Sequence, residues 1–254
     1  MATGRKQVDT LLIFAKAPIK GTVKTRLAES TGLDEEAVLR LYRAFLEDTI
    51  LMATHTGATP VLAYTPAKGR SVIEEMLERV GEERGIRVRA FPQEGEDFDA
   101  RFASALEKVE GRVAVIGSDS PQLQPRTVKR AFSFLKRRGG LVLGPSGEGG
   151  VYLVGLSGGH KMDFQGVFTR GGELENLSAM AEERRMPLLL LEELTDVDVK
   201  ADLITLVSNL KALRYSSRFG PCHLPRNTMA AIEGLGLRVV RSKGTREKVL
   251  LKGR

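Results

Sequence analysis

Seven short apolar runs punctuate this chain, at residues 10–15, 59–64, 86–91, 112–117, 140–144, 151–156 and 187–191, with helical patterns between most of them. Residues 34–54 show the helical period best, carrying Ala37, Val38, Leu41, Phe45, Leu46 and Ile50 on one stripe, close to a 3.6-residue repeat. Further helical stretches cover 70–80, 97–109, 125–138, 172–185 and 199–213. Strands alternating with helices of this length imply βαβ units, because a parallel partner is reached only through a crossover that holds a helix. The spacing predicts an α/β fold with a mixed, mostly parallel sheet flanked by helices. Runs 140–144 and 151–156 lie too close for such a crossover, which predicts a hairpin or local antiparallel excursion there.

At 254 residues, with 42% hydrophobic and 28% charged content, the chain has an ordinary globular balance and ample length for a buried core. No apolar run approaches the ~20 residues needed to span a bilayer. The apolar stretch after Arg5 and Lys6 ends at Lys16, too short for a secretory signal, so a cytoplasmic location is expected. Cys222 is the single cysteine, which excludes an internal disulfide framework. His55, His160 and His223 are scattered, which argues against a structural zinc site.

The net charge of +7 is unevenly placed. Residues 211–254 hold eleven Lys and Arg against Glu233 and Glu247, leaving residues 1–210 slightly acidic. The pattern also changes after about 213. Ser216 to Pro221 reads as a linker, Pro225 to Leu235 as a short helix, and 237–241 and 247–251 as basic strand-like runs. The expected organisation is a main domain over 1–213 and a basic C-terminal extension over 214–254.

Three segments carry candidate chemistry. Behind the first strand, the chain turns at Pro18 and Gly21 and offers Lys16, Lys20, Lys24 and Arg26. In an open α/β sheet, ligands sit beyond the carboxyl ends of strands. Lysine suits phosphate oxygens there as a compact charge and arginine as a two-pronged donor. The loop has neither the Walker nor the dinucleotide-binding glycine spacing. In the second segment, the run Val113–Gly117 leads into Ser118, Asp119 and Pro121. A carboxylate at a strand end can hold Mg²⁺ or Mn²⁺, or cap the turn before the proline. In the third, Gly147, Glu148, Gly149 and Gly150 join two strands. Gly149 and Gly150 permit close backbone approach to a ligand or positive φ, and Glu148 could ligate metal, meet a sugar hydroxyl or act as base. Two acidic sites read first as helix N-caps, Asp97 before one helix and Asp198 before another.

Together these segments resemble a glycosyltransferase-A-like family of the nucleotide-diphospho-sugar transferase superfamily, associated with radical-SAM/selenodomain proteins and formerly a domain of unknown function. Its pattern Phe-Ala-Lys-x-Pro-x-x-Gly-x-x-Lys-Thr-Arg-Leu is matched from Phe14 to Leu27, and Gly-Ser-Asp-x-Pro at 117–121. Weaker likenesses fall at 148–156, 93–101 and 196–203, so the resemblance spans roughly 9–213. It implies the nucleotide-diphospho-sugar transferase (GT-A-like) fold, with the nucleotide over the strand ends. It also implies that Lys24 and Arg26 contact phosphates, that Asp119 holds the divalent metal, and that Asp97 and Arg101 belong to the substrate site. The chain departs from the pattern at Glu148, where aspartate is usual. Phe98-Asp99 replaces Leu-Gly, and Phe164–Arg170 replaces a segment that usually ends in Trp-Ser.

The leading expectation is a metal-dependent (Mg²⁺ or Mn²⁺) transferase using a nucleotide-activated donor, a nucleotide-sugar glycosyltransferase, with Asp119, Lys24 and Glu148 as catalytic candidates. Lys16, Lys24, Arg26, Asp97, Arg101, Gly149 and Gly150 are the candidate substrate contacts. The expected partners are a nucleotide sugar or nucleoside triphosphate and a small-molecule acceptor. The alternative is a nucleotidyltransferase of guanylyl or cytidylyl type that releases pyrophosphate. A third reading, nucleic-acid binding through the basic tail, is opposed by the 6% aromatic content and the slightly acidic main domain.

Overall fold

A computed structural model describes residues 8–158, 162–241 and 248–251. Arg5, Lys6, His160, Glu247, Lys252 and Arg254, which entered the sequence reading, lie outside them. Strands β1 (Asp9–Lys16), β2 (Thr59–Thr65), β3 (Arg89–Pro92), β4 (Arg112–Gly117), β5 (Leu141–Pro145), β6 (Val151–Ser157) and β7 (Leu188–Leu190) form one sheet. Its order is β3-β2-β1-β4-β6-β5-β7. All neighbouring pairs are parallel except those of β6, which runs antiparallel to both β4 and β5. The antiparallel excursion expected from the short 145–150 connection is thus present, and the mostly parallel mixed sheet with it.

The continuous apolar run of β1 follows from its central position, buried on both faces. Leu11, Ile13 and Ala15 pack into one cluster and Leu12 and Phe14 into another, as strand alternation requires. Helices α2 (Glu35–Thr54), α3 (Arg70–Arg84) and α5 (Pro125–Arg138) supply the first cluster. Helices α4 (Phe98–Glu107) and α6 (Glu173–Glu183) supply the second. The register that pairs Phe14 with Gly117 sets Asp119, two residues beyond β4, beside the end of β1. Helix α3 outruns the expected 70–80: it continues to Arg84 and ends where Gly85 takes φ 65°, a left-handed cap that glycine adopts without Cβ strain.

Helix α1 (Thr25–Thr31), α2, α7 (Lys200–Ser216) and α8 (Arg226–Gly234) enclose a third apolar cluster that includes Leu41, Phe45, Leu206, Ile232 and Leu237. The division expected at 213/214 therefore falls inside α7, and the C-terminal extension shares a core with the main domain. Its last part is a two-stranded antiparallel ribbon of β8 (Arg238–Arg241) and β9 (Lys248–Leu251). Among the described residues no helix is long and apolar enough to cross a membrane.

One buried carboxylate ties the extension down. Asp48 on α2, 1% exposed, accepts from the backbone N–H groups of Asn227 (3.1 Å) and Thr228 (2.7 Å) at the start of α8. Burial pushes its pKa up to about 6, against the pull of those hydrogen bonds. A folded-state pKa above the unfolded value means that the folded chain binds the extra proton. Stability from this group is therefore full below about pH 4 and falls by up to about 3 kcal/mol as pH rises to about 6. Urea midpoints between pH 4 and 7 should show this falling component in the parent and not in Asp48→Asn. A parent that gains stability over that window relative to Asp48→Asn would contradict it.

Candidate active site

The carboxyl ends of β1 and β4, the start of β6, the first turns of α4 and the segment holding Asp196 and Asp198 surround a cavity of about 430 Å³. Lys24 is its most constrained lining residue. Its side chain is 5% exposed, and its Nζ lies 2.8 Å from Asp119 Oδ2 and 2.8 Å from Asp198 Oδ1. Burial alone would lower its pKa, but the two carboxylates outweigh that and raise it, so Lys24 is an ammonium. Its backbone sits at φ 51°, ψ 39°, a left-handed conformation costing a non-glycine residue roughly 1–2 kcal/mol.

The partners of Lys24 are held from several elements. Asp119 follows β4, and its carbonyl accepts from Val197 N–H at 3.0 Å, fixing the 196–198 segment against the strand end. Asp198 also meets Arg26 at 3.4 Å. Burial opposes its ionisation, but Lys24 and then Arg26 bring its pKa below the ordinary value. Asp196 accepts from the hydroxyls of Ser120 and Ser146, and burial raises its pKa, with Asp119 adding to the rise. Tyr42 reaches over from α2. Its hydroxyl donates to Lys16 O and accepts from Lys16 N–H, both at 2.9 Å, pinning the end of β1. A burial-raised pKa keeps that phenol protonated.

Lys16, Lys24, Arg26, Arg101 and Asp119 all line this cavity. Lys20 does not; it turns out to Glu36, 3.7 Å away. Asp97 requires a correction as a substrate contact. Its carboxylate accepts from Ala100 N–H at 2.8 Å as the N-cap of α4 and it lines neither this cavity nor its neighbour. Asp198 is corrected in the opposite sense. The N-terminus of α7 is satisfied by Asp202, which accepts from Asp198 N–H and Val199 N–H, and this leaves the Asp198 side chain to the site.

A second cavity of about 720 Å³ adjoins the first and contains Glu148 and Gly150. Glu148 thus stands apart from Asp119, in a wall of the second cavity, and at φ 57° it is another strained non-glycine residue. Gly149 lies at φ 79° and lines neither cavity. A Cβ at Gly150 would come within 2.7 Å of Ser146 Oγ, so the hydroxyl would have to move aside. Among the described residues no group of three or more His, Cys, Asp or Glu side chains is arranged to hold a metal ion. Asp119, Asp196 and Asp198 line the first cavity, with the Lys24 ammonium between Asp119 and Asp198.

Sequence reasoning missed Tyr42, Asp196, Phe98, Asp99 and Phe168. The acidic pair Asp196-Val-Asp198 was the available signal, masked by its position before a helix. Tyr42 lies on an ordinary amphipathic stripe and carried none.

Residues 49–170 match the model of a family described as an uncharacterized protein conserved in bacteria, DUF2064. Among solved structures, a protein of Desulfovibrio desulfuricans G20, provisionally described as a nucleotide-diphospho-sugar transferase, aligns with a TM-score of 0.74 at 24% identity, covering 89% of this chain and 95% of that one. The 4-diphosphocytidyl-2C-methyl-D-erythritol synthase of Anaerococcus prevotii DSM 20548 aligns with a TM-score of 0.50 at 8% identity, covering 81% and 99%. A cytidylyltransferase from Leptospira borgpetersenii serovar Hardjo-bovis gives 0.50 at 12%, covering 90% and 94%. No curated protein matches the chain. The chain has the nucleotide-diphospho-sugar transferase fold, with a mostly parallel sheet flanked by helices.

Proposed function

We propose that this chain is a metal-dependent transferase acting on a nucleotide-activated donor, with a nucleotide sugar as that donor. The observation that carries this reading is the buried Lys24 ammonium, strained and paired to Asp119 and Asp198 at the ends of the central strands. In this reading the diphosphate enters the first cavity, and Lys24, Arg26 and Lys16 turn to its oxygens. Charge-assisted bonds of this kind contribute roughly 1.5–3 kcal/mol each. Asp119 and Asp198 are then free to hold a divalent cation. The hard oxygen donors fit one, because Mg²⁺ is commonly bound by one or two carboxylates completed by substrate phosphates. Such an ion, held there, would neutralise charge on the departing diphosphate. In this reading Asp196, whose pKa burial raises, would be the base that takes the acceptor's proton.

The names of two fold neighbours, the erythritol cytidylyl synthase and the cytidylyltransferase, support a second reading. In nucleotidyl transfer the same cations would orient an incoming phosphate and stabilise pyrophosphate as it leaves. The two readings differ in product. Incubation with Mg²⁺ or Mn²⁺, a panel of hydroxyl and phosphate acceptors and a panel of nucleotide sugars should release nucleoside diphosphate under the first, the sugar passing to an acceptor or to water. Under the second, nucleoside triphosphates should release pyrophosphate. Release of neither from any member of the panel would overturn both.

A further inference from the structure

The two cavities meet along Arg26, Phe98, Val151, Phe168, Asp196 and Asp198. At this junction Phe98 stays 39% exposed beside a polar site. Its ring centroid lies 5.0 Å from that of Phe168, edge to face, and 5.9 Å from that of Phe14. Both rings are held in place. Phe98 is the first residue of α4, capped by Asp97. Phe168 belongs to a loop fastened by the neighbouring Asp99, a carboxylate 5% exposed. Asp99 accepts from Gly166 N–H at 2.7 Å, Phe168 N–H at 2.8 Å and the Thr169 hydroxyl. One helical turn therefore offers one ring and locks the other. Beyond the rings, the second cavity presents the carboxylates of Glu148, Glu173 and Glu193.

We infer that this junction is the seat of a pyranose ring carried by the donor, with Phe98 and Phe168 against its C–H face and the second-cavity carboxylates toward its hydroxyls. The inference rests on the transferase reading above. A pyranose has an apolar face and a rim of hydroxyl donors, which matches an aromatic wall facing carboxylate acceptors. A phosphate is repelled by those same carboxylates and belongs with Lys24 in the first cavity. A nucleotide sugar is the ligand with both parts, anionic and polyhydroxylated, in that order.

The test is calorimetric titration of the full-length chain, with Mg²⁺ present, against UDP, GDP and ADP and against UDP-glucose, GDP-mannose and ADP-glucose. The parent should bind the sugar conjugate of its preferred base about tenfold more tightly than the diphosphate. Phe98→Ala should erase that increment while leaving the diphosphate affinity unchanged, and Phe98→Leu should keep only part of it. Melting temperatures of both variants report whether α4 stays folded. Equal increments in the parent and in folded Phe98→Ala would overturn the ring seat while leaving the nucleotide site intact. Failure of the parent to bind any diphosphate or conjugate would overturn the transferase reading, and the seat with it.

Discussion

Lys24→Gly is expected to produce a protein as stable as its parent that has lost nucleoside diphosphate binding. Glycine relieves the left-handed strain at φ 51°, recovering roughly 1–2 kcal/mol. Against this stand the entropy that glycine adds to the unfolded chain, roughly 0.5–1 kcal/mol, and the lost ion pairs. Asp119 and Asp198 are 36% and 49% exposed, so water solvates them once the ammonium is gone and each lost pair costs at most about 1 kcal/mol. The contributions nearly cancel. Binding has no such compensation, and loss of the Lys24 charge-assisted phosphate bond, roughly 1.5–3 kcal/mol, should weaken it about tenfold to a hundredfold. Lys24→Ala keeps the strain and should be the less stable of the two variants. Urea midpoints and titration calorimetry on both would check this. A Lys24→Gly protein that unfolds readily yet binds nucleotide normally when folded would make Lys24 a structural residue.

The second large effect concerns Asp99. Its replacement by alanine leaves two backbone N–H groups and a hydroxyl without their shared acceptor. We expect a loss of about 3 kcal/mol, which for a chain of this size lowers the melting temperature by roughly 6–12 °C. The carboxyl also carries a pH signature. Burial would raise its pKa, but the hydrogen bonds from Thr169, Phe168 and Gly166 outweigh that and lower it. Stability from this group is therefore complete above its unfolded pKa and lost as pH falls through the lower folded value. This sign is opposite to that of Asp48. Melting curves of the parent, Asp99→Ala and Asp99→Asn across pH 3–7 separate the two. A melting temperature unchanged in Asp99→Ala would mean that the loop carrying Phe168 is not fastened by this carboxylate.

The parts of the fold legible in the sequence were those set by period. The run at 10–15 and the stripe from Ala37 to Ile50 appear as β1 and α2 almost residue for residue, because burial on two faces or on one stripe leaves a direct mark on residue choice. The candidate site was legible where cations and a carboxylate crowd the strand ends, at Lys24, Arg26 and Asp119. It was illegible where function depends on long-range approach. Asp198 comes to Lys24 across 174 positions and Tyr42 to Lys16 across 26, and neither leaves a local pattern. Asp97 and Asp198 make the same point in opposite directions. Each precedes a helix and looks like a cap, and only the position of Asp202 one turn further on decides that Asp198 is spared that task.

In the proposed function, Asp119 and Lys24 together form a metal-assisted diphosphate site. Its most direct test is titration calorimetry of the parent and Asp119→Asn with nucleoside diphosphates, in Mg²⁺ or Mn²⁺ and again in chelator. Binding by the parent should depend on the metal, with metal-independent residual binding at most in Asp119→Asn, whose fold is retained because Lys24 keeps Asp198. Nucleotide bound equally well without metal, or equally well by Asp119→Asn, would contradict it.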